Sequence, residues 1–162
     1  MKRIFFIPTL IFFTQILNAQ QNDTVGVIKA IERFRISLGK GDARAFADLF
    51  ALDADFTNVV DSSIHGRENI YSHHVNVFKN RPLTRKNNVN SYRIRFLRLD
   101  IASVEIRWDN IHSMGADGTT LSDRDGVWIS VMTKENGEWY FKVVRNVFLH
   151  DGTPGHEMKK TH

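Results

Sequence analysis

The sequence predicts an α+β fold in which three N-terminal helices pack in a strongly curved antiparallel sheet. Three observations carry this. Apolar residues recur at helical spacing in three stretches of the first half of the chain. The period then changes to that of a strand, with Tyr92, Ile94 and Phe96 alternating with Arg93, Arg95 and Arg98. Asn136-Gly137, between two long apolar runs, is a type I′ hairpin signal. Helices grouped ahead of an antiparallel meander indicate α+β, and a curved sheet wrapped around helices encloses a pocket.

The chain of 162 residues suggests one domain, expected over 20–149, with a polar tail over 150–162. Lys2 and Arg3 precede an apolar run from Ile4 to Leu17, and Ala19 is a small residue at its end. That pattern predicts a signal peptide over 1–19, cleaved after Ala19. The run is shorter than the roughly 20 residues of a spanning helix. The expectation is export, to the periplasm or beyond, with no stable membrane anchor once the signal is removed. There is no cysteine, so disulfides and cysteine-ligated metals are excluded. The net charge of +4 includes Lys2 and Arg3, so the chain after Ala19 carries +2. A weakly basic chain argues against a dedicated nucleic-acid binder.

The first helix is expected over 24–38, with Val25, Ile28, Ile31, Phe34 and Leu38 as its stripe, Asp23 or Thr24 as cap and Gly39 as terminator. Asp42 caps a second helix carrying Ala43, Phe46, Leu49 and Phe50. Asp55 to Val60 reads as a short strand, turned by Asp61-Ser62-Ser63 into Ile64-His65. The third helix is expected over 67–79, on Ile70, Val77 and Phe78, interrupted by His73 and His74. Residues 80–90 read as a polar loop. Four long strands follow, the last three over 101–111, 126–133 and 139–148.

The order of several short motifs resembles a known family. Asp53-Ala54-Asp55-Phe56 with Asn58, Gly66-Arg67-Glu68-Asn69-Ile70, and His73-His74 with Phe78 are similar to the SgcJ/EcaC branch of SnoaL-like proteins. Asp100-Ile101-Ala102 with Val104 and Trp108, then Gly137-Glu138-Trp139 and Arg145-Asn146, continue the likeness to residue 148. The resemblance implies membership of the nuclear-transport-factor-2-like superfamily with its cystatin-like, cone-shaped α+β barrel, a central pocket and frequent homodimers. Relatives include an isomerase, cyclases, dehydratases and proteins with no activity, so fold does not settle function. Arg145 departs from the branch, which commonly has a smaller or amide residue there.

Among residues suited to chemistry, His73 and His74 flank the buried stripe of the third helix, where an imidazole can act as general acid or base. His74 is the expected catalytic group, and Asp55 its orienter or the base. Expected ligand contacts are Phe56, Asn58, His73, Trp108, Trp128, Arg145 and Asn146. Arg145 and Asn146 are adjacent in a strand, so only one of them faces the pocket. Trp139, Phe141 and Val143 share the face of Arg145, and the opposite face offers Tyr140, Val144 and Phe148 for a homodimer. His65, His73, His74 and His112 do not form a metal motif, and no phosphate-binding or dinucleotide fingerprint occurs. Neither a metal nor a cofactor is expected. Two readings remain. One is a small-molecule-binding protein doing cofactor-free acid–base chemistry of isomerase, cyclase or dehydratase type. The other is a non-catalytic ligand-binding or dimerisation module.

Overall fold

The computed structural model describes residues 8–59, 62–80, 88–110, 119 and 123–150. The tail over 151–162, His112, and the basic residues Arg81, Arg85 and Lys86 lie outside them. Helix α1 spans Pro8–Lys40 and α2 spans Ala43–Ala47; β1 is Phe50–Thr57, β2 Ser63–His65 and α3 Arg67–Lys79. The strands β3 (Asn88–Arg98), β4 (Ile101–Asn110), β5 (Arg124–Glu135) and β6 (Glu138–His150) follow. The six strands form one curved, unclosed sheet in the order β2-β1-β6-β5-β4-β3. All neighbours are antiparallel except β1 and β6, which run parallel. No helix among the described residues is long and apolar enough to cross a membrane.

Helix α1 buries Ile31 and Phe34 of the expected stripe but is rotated away from Val25 toward Val27 and Ala30. Val27, Ala30, Ile31 and Phe34 are buried, whereas Val25 is exposed. Two contacts with the β5–β6 hairpin set this rotation. Asp23, expected as a cap, lies inside the helix and is buried in an ion pair with Lys134. Gly26 lies against Trp139, where an added Cβ would stand 2.8 Å from the indole. The terminator is Gly41 rather than Gly39. Gly41 adopts φ +66°, and Gly41 N–H and Asp42 N–H donate to the carbonyls of Leu38 and Ser37. That is the Schellman closure of a helix end. Asp42 then caps α2, as expected, by accepting from Ala45 N–H at 2.9 Å.

Helix α3 matches its expected span. It is tied to the sheet by Arg67, whose Nε donates to the Phe50 carbonyl at 2.6 Å, and to α2 by a two-pronged Arg44–Glu68 pair. Asn136 and Gly137 take φ of 51° and 86°, as a type I′ turn requires. The core lies between the helices and the concave face of the sheet. Phe34, Phe46, Phe50 and Phe141 are fully enclosed there, with tilted or edge-on ring contacts between 5.3 and 5.9 Å.

Strand β6 does not keep a single parity. Trp139 and Phe141 are buried, and so is Val144, while Val143 is only half-buried. The pairing with β5 shifts between Val131 and Met132, opposite Val143 and Phe141. This bulge adds a residue and reverses which side chains face inward. The strip of Tyr140, Val144 and Phe148 expected on the outer face is therefore broken. Val144 is in the core and Phe148 lines the cavity.

Candidate active site

The bulge decides which of two adjacent residues reaches the interior. After Val144, inward parity falls on Asn146 and Phe148, and both line a cavity of about 340 Å³ between α3 and the sheet. Small-molecule sites have volumes of roughly 300–1,000 Å³. Arg145 is exposed on the convex face, where it pairs across the sheet with Ile129 and Thr57. The expected role of Arg145 as a ligand anchor is corrected accordingly.

The cavity wall on the helix side carries His73 and His74. His74 is 5% exposed and stacks 4.1 Å from the ring of Phe46. Phe56 and Phe78 close over it at 5.2 and 5.5 Å. Its Nδ1 lies 2.8 Å from the Ile70 carbonyl oxygen. A carbonyl only accepts, so Nδ1 carries the proton and Nε2 is left as the basic nitrogen. Burial pushes the imidazole down from 6.5 to about 4, against a smaller opposing effect of the Ile70 hydrogen bond. His73, whose ring centre is 5.1 Å away, is half-buried and also lowered by burial. Both rings are thus neutral at pH 7.

Asp55 does not join them. Ala54 and Phe56 face inward, so strand alternation turns Asp55 outward. There it is exposed and meets His65 Nδ1 at 2.9 Å. The expected His74–Asp55 couple is absent, and among the described residues lining the cavity there is no carboxylate at all. Nor do three or more His, Cys, Asp or Glu among the described residues come together as a metal set.

The sheet-side wall is built around Trp108. Its Nε1 donates to Asn146 Oδ1 at 2.9 Å. The bond fixes the amide's orientation, because an indole N–H only donates, and leaves the NH₂ as Asn146's remaining polar group. Room for the indole comes from its cross-strand partner Gly126. A Cβ there would fall 2.3 Å from Trp108 and 2.6 Å from the Val147 carbonyl oxygen. Trp128, Phe56 and Asn58 also line the cavity, as expected. Asn58 Oδ1 in addition accepts from Ser62 N–H and so holds the β1–β2 turn.

Three polar lining residues, Asn80, Asn110 and Arg124, are not among the expected contacts. Asn110 and Arg124 pair across the end of β4 and the start of β5 and both line the cavity. Asn110 is 7% exposed and its buried Oδ1 has no hydrogen-bond partner among the described residues. The Arg124 guanidinium lies 5.5 Å from the centre of the Phe148 ring. Asn110 shares inward parity with Trp108, which was a usable signal. Arg124 stood outside the strand as first bounded, so it carried none.

A family model described as a SnoaL-like domain matches residues 21–145. The chain belongs to the SnoaL-like family. The match runs from within α1 to Arg145 in β6 and includes the cavity's lining residues other than Asn146 and Phe148. No curated relative matches the chain. Solved structures share the fold. A hexachlorocyclohexane dehydrochlorinase from Novosphingobium barchaimii is 15% identical with a TM-score of 0.72, over 82% of this chain and 90% of that one. A candidate scytalone dehydratase from Novosphingobium aromaticivorans is 15% identical with a TM-score of 0.70, over 83% and 89%. An uncharacterised cystatin-like protein from Caulobacter vibrioides is 18% identical with a TM-score of 0.67, over 79% and 90%. At these identities the likeness establishes the fold, a nuclear-transport-factor-2-like α+β cone, and not the chemistry.

Proposed function

We propose that this SnoaL-like protein binds a small, partly apolar molecule in its cavity and performs cofactor-free acid–base chemistry on it, with His74 as the base. The observation that carries this is the state of His74. Its Nδ1–H is committed to the Ile70 carbonyl, and its ring lines an aromatic cavity in the neutral form. Nε2 is then a desolvated acceptor positioned beside any bound ligand. Two structural neighbours bear the names of eliminating enzymes, a dehydrochlorinase and a candidate dehydratase. In such a step Nε2 takes a proton from a substrate carbon. The released electron pair forms the new double bond and expels the leaving group. Isomerisation and cyclisation begin with the same proton transfer. Replacing His74 by Ala should abolish turnover while a folded, ligand-binding cavity remains. An H74A variant with unchanged turnover would remove His74 from the mechanism and favour a purely ligand-binding module.

We further propose a homodimer through the convex face of the sheet. Ile129 and Val147 are half-exposed there at 50% and 45%, beside the half-buried Val131 and Val143. Ile129→Lys should convert a dimer to a monomer by light scattering at micromolar concentration, and a wild-type monomer would dismiss the idea. Export with cleavage after Ala19 is also part of this reading. It leaves the Asp23–Lys134 pair within the mature chain, and the N-terminal sequence of the mature protein tests it. Placement in the SgcJ/EcaC branch rests on the sequence motifs alone.

A further inference from the structure

The sheet wall of the cavity is set to donate hydrogen bonds. Trp108 Nε1 holds Asn146 Oδ1 at 2.9 Å, and Gly126 leaves the indole the room to do so. An amide whose oxygen is held in this way presents its NH₂ on the other side, and Asn146 lines the cavity. Among the described residues, the unpartnered side-chain atoms sealed from solvent are Asn110 Oδ1 and Trp139 Nε1. The Asn146 NH₂ is not one of them, so it is an accessible donor. Arg124 stands on the same wall. Arg44, Arg98 and Arg107 each meet a carboxylate, whereas Arg124 lies over the Phe148 ring, 5.5 Å from its centre. Phe148 follows Asn146 by two residues on the same side of β6, roughly 7 Å along the strand, so the guanidinium and the amide border one region of the wall. Among the described lining residues Arg124 is the one full charge, and no carboxylate offsets it.

We infer that this wall is an anion site, in which Arg124 and the NH₂ of Asn146, aimed by Trp108, hold the carboxylate of a small ring-bearing acid. The inference rests on reading the cavity as a ligand site. A guanidinium recognises a carboxylate by charge-assisted, two-pronged hydrogen bonds, and a fixed amide NH₂ adds a donor without further ordering cost. A cationic ligand is disfavoured because it would meet Arg124 and an outward-turned NH₂ with no acceptor between them. A neutral amide is accepted by Asn146 but gains nothing from the charge. The ring of the ligand falls to the rest of the cavity, where Phe56, Trp128 and Phe148 supply aromatic surface. Trp108 and Gly126 are positioning residues here: they act on the anion through the orientation of Asn146.

The test is calorimetric titration of the full-length protein at pH 7 with three probes of like shape: phenylacetate, its neutral amide phenylacetamide, and the cation phenethylammonium. Wild type should bind the acid about tenfold or more tightly than the amide, the effect expected for one charge-assisted hydrogen bond, and the cation more weakly than either. Each variant is read as the ratio of acid to amide affinity, so that a general loss of packing cancels. Arg124→Gln should bring that ratio to within about twofold of one. Asn146→Asp keeps an oxygen for the Trp108 N–H but turns the open donor into a charged acceptor, and should also erase the ratio. Trp108→Phe keeps an aromatic wall, frees the amide to rotate, and should lower the ratio about threefold. Arg145→Gln, on the convex face, should leave it unchanged and controls for loss of net charge. Thermal unfolding identifies any variant that misfolds, and Arg124→Gln and Asn146→Asp are each decisive without the other. If the amide or the cation binds wild type as tightly as the acid, or if a folded Arg124→Gln or Asn146→Asp protein keeps the wild-type ratio, the inference is overturned while the ligand site stands. If none of the three probes binds the folded wild type, the ligand-site reading falls, and the inference with it.

Discussion

Acidification should unfold this protein through His74, by an amount that its surroundings determine. The ring is buried among Phe46, Phe56 and Phe78, and its ionisation falls from an ordinary 6.5 to about 4. Between those values the unfolded chain takes up a proton that the folded chain refuses. Stability is therefore fully present above pH 6.5 and is lost as the pH falls toward 4. Below that both states are protonated and the loss stops growing. At roughly 1.4 kcal/mol for each tenfold change in an equilibrium constant, the loss from His74 alone reaches about 3 kcal/mol, a large part of the 5–15 kcal/mol typical of a domain. His73, lowered in the same direction, adds a smaller loss of the same sign. The perturbation is His74→Leu, which keeps the position apolar and removes the titrating group. The assay is urea denaturation of both proteins at half-unit steps from pH 7.5 to 4. The difference in stability between them should shift by about 3 kcal/mol in favour of the variant as the pH falls. Proton NMR of the wild type should show one imidazole still neutral at pH 5. A His74 midpoint near 6.5, or a stability difference that does not change with pH, would refute the claim that this ring is dry.

Other consequences follow from single contacts. Gly126→Ala places a methyl 2.3 Å from Trp108 with the Val147 carbonyl behind it. Overpacking and the lost Trp108–Asn146 bond together should cost about 2–4 kcal/mol, a fall in Tm of roughly 5–10 °C; unchanged Tm and tryptophan emission would show that the indole has room to move. Asp55→Asn should leave ligand affinity and turnover within about twofold, because the carboxylate is outside the cavity and bonded to His65. A tenfold loss in either would return Asp55 to the mechanism. Lys134→Met strips the cation from Asp23, whose side chain is only 10% exposed. It should destabilise the fold by about 1–3 kcal/mol at neutral pH in denaturant titrations, and an unaffected midpoint would mean that α1 docks without the pair.

The helices and the meander were legible because their signals are local. The span of α3 follows from its apolar spacing, and the β5–β6 turn from Asn136-Gly137, whose positive φ values few other residues tolerate. Six of the expected ligand contacts and His74 line the cavity, since inward parity in a strand and the buried stripe of a helix are written in residue type. Asp55 was misplaced although the rule against it was available: Phe56 is its neighbour in a strand, and adjacent residues cannot both face inward. Arg145 is a different kind of failure. The parity of β6 reverses at a bulge that depends on register with β5, and register is a property of two strands rather than one. The rotation of α1 was illegible for the same reason. Val25 and Val27 are alike as side chains, and the choice between them is made by Lys134 and Trp139, more than a hundred residues away.

If His74 is the base of the proposed reaction, the lack of a carboxylate among the described residues lining its cavity constrains the chemistry more than its presence would have. A buried imidazole without an acidic partner is always in its basic form at neutral pH, yet it is a weak base, because desolvation has lowered its proton affinity. Such a group removes only protons that the substrate has already made acidic. The acidifying influence must then come from the opposite wall, where Arg124 and the oriented NH₂ of Asn146 can stabilise negative charge as it develops on the substrate. On this reading the two walls divide the work: the helix accepts the proton and the sheet holds the charge left behind. Exchanging Arg124 for Gln should therefore lower kcat as well as substrate affinity, because its interaction strengthens as the proton leaves.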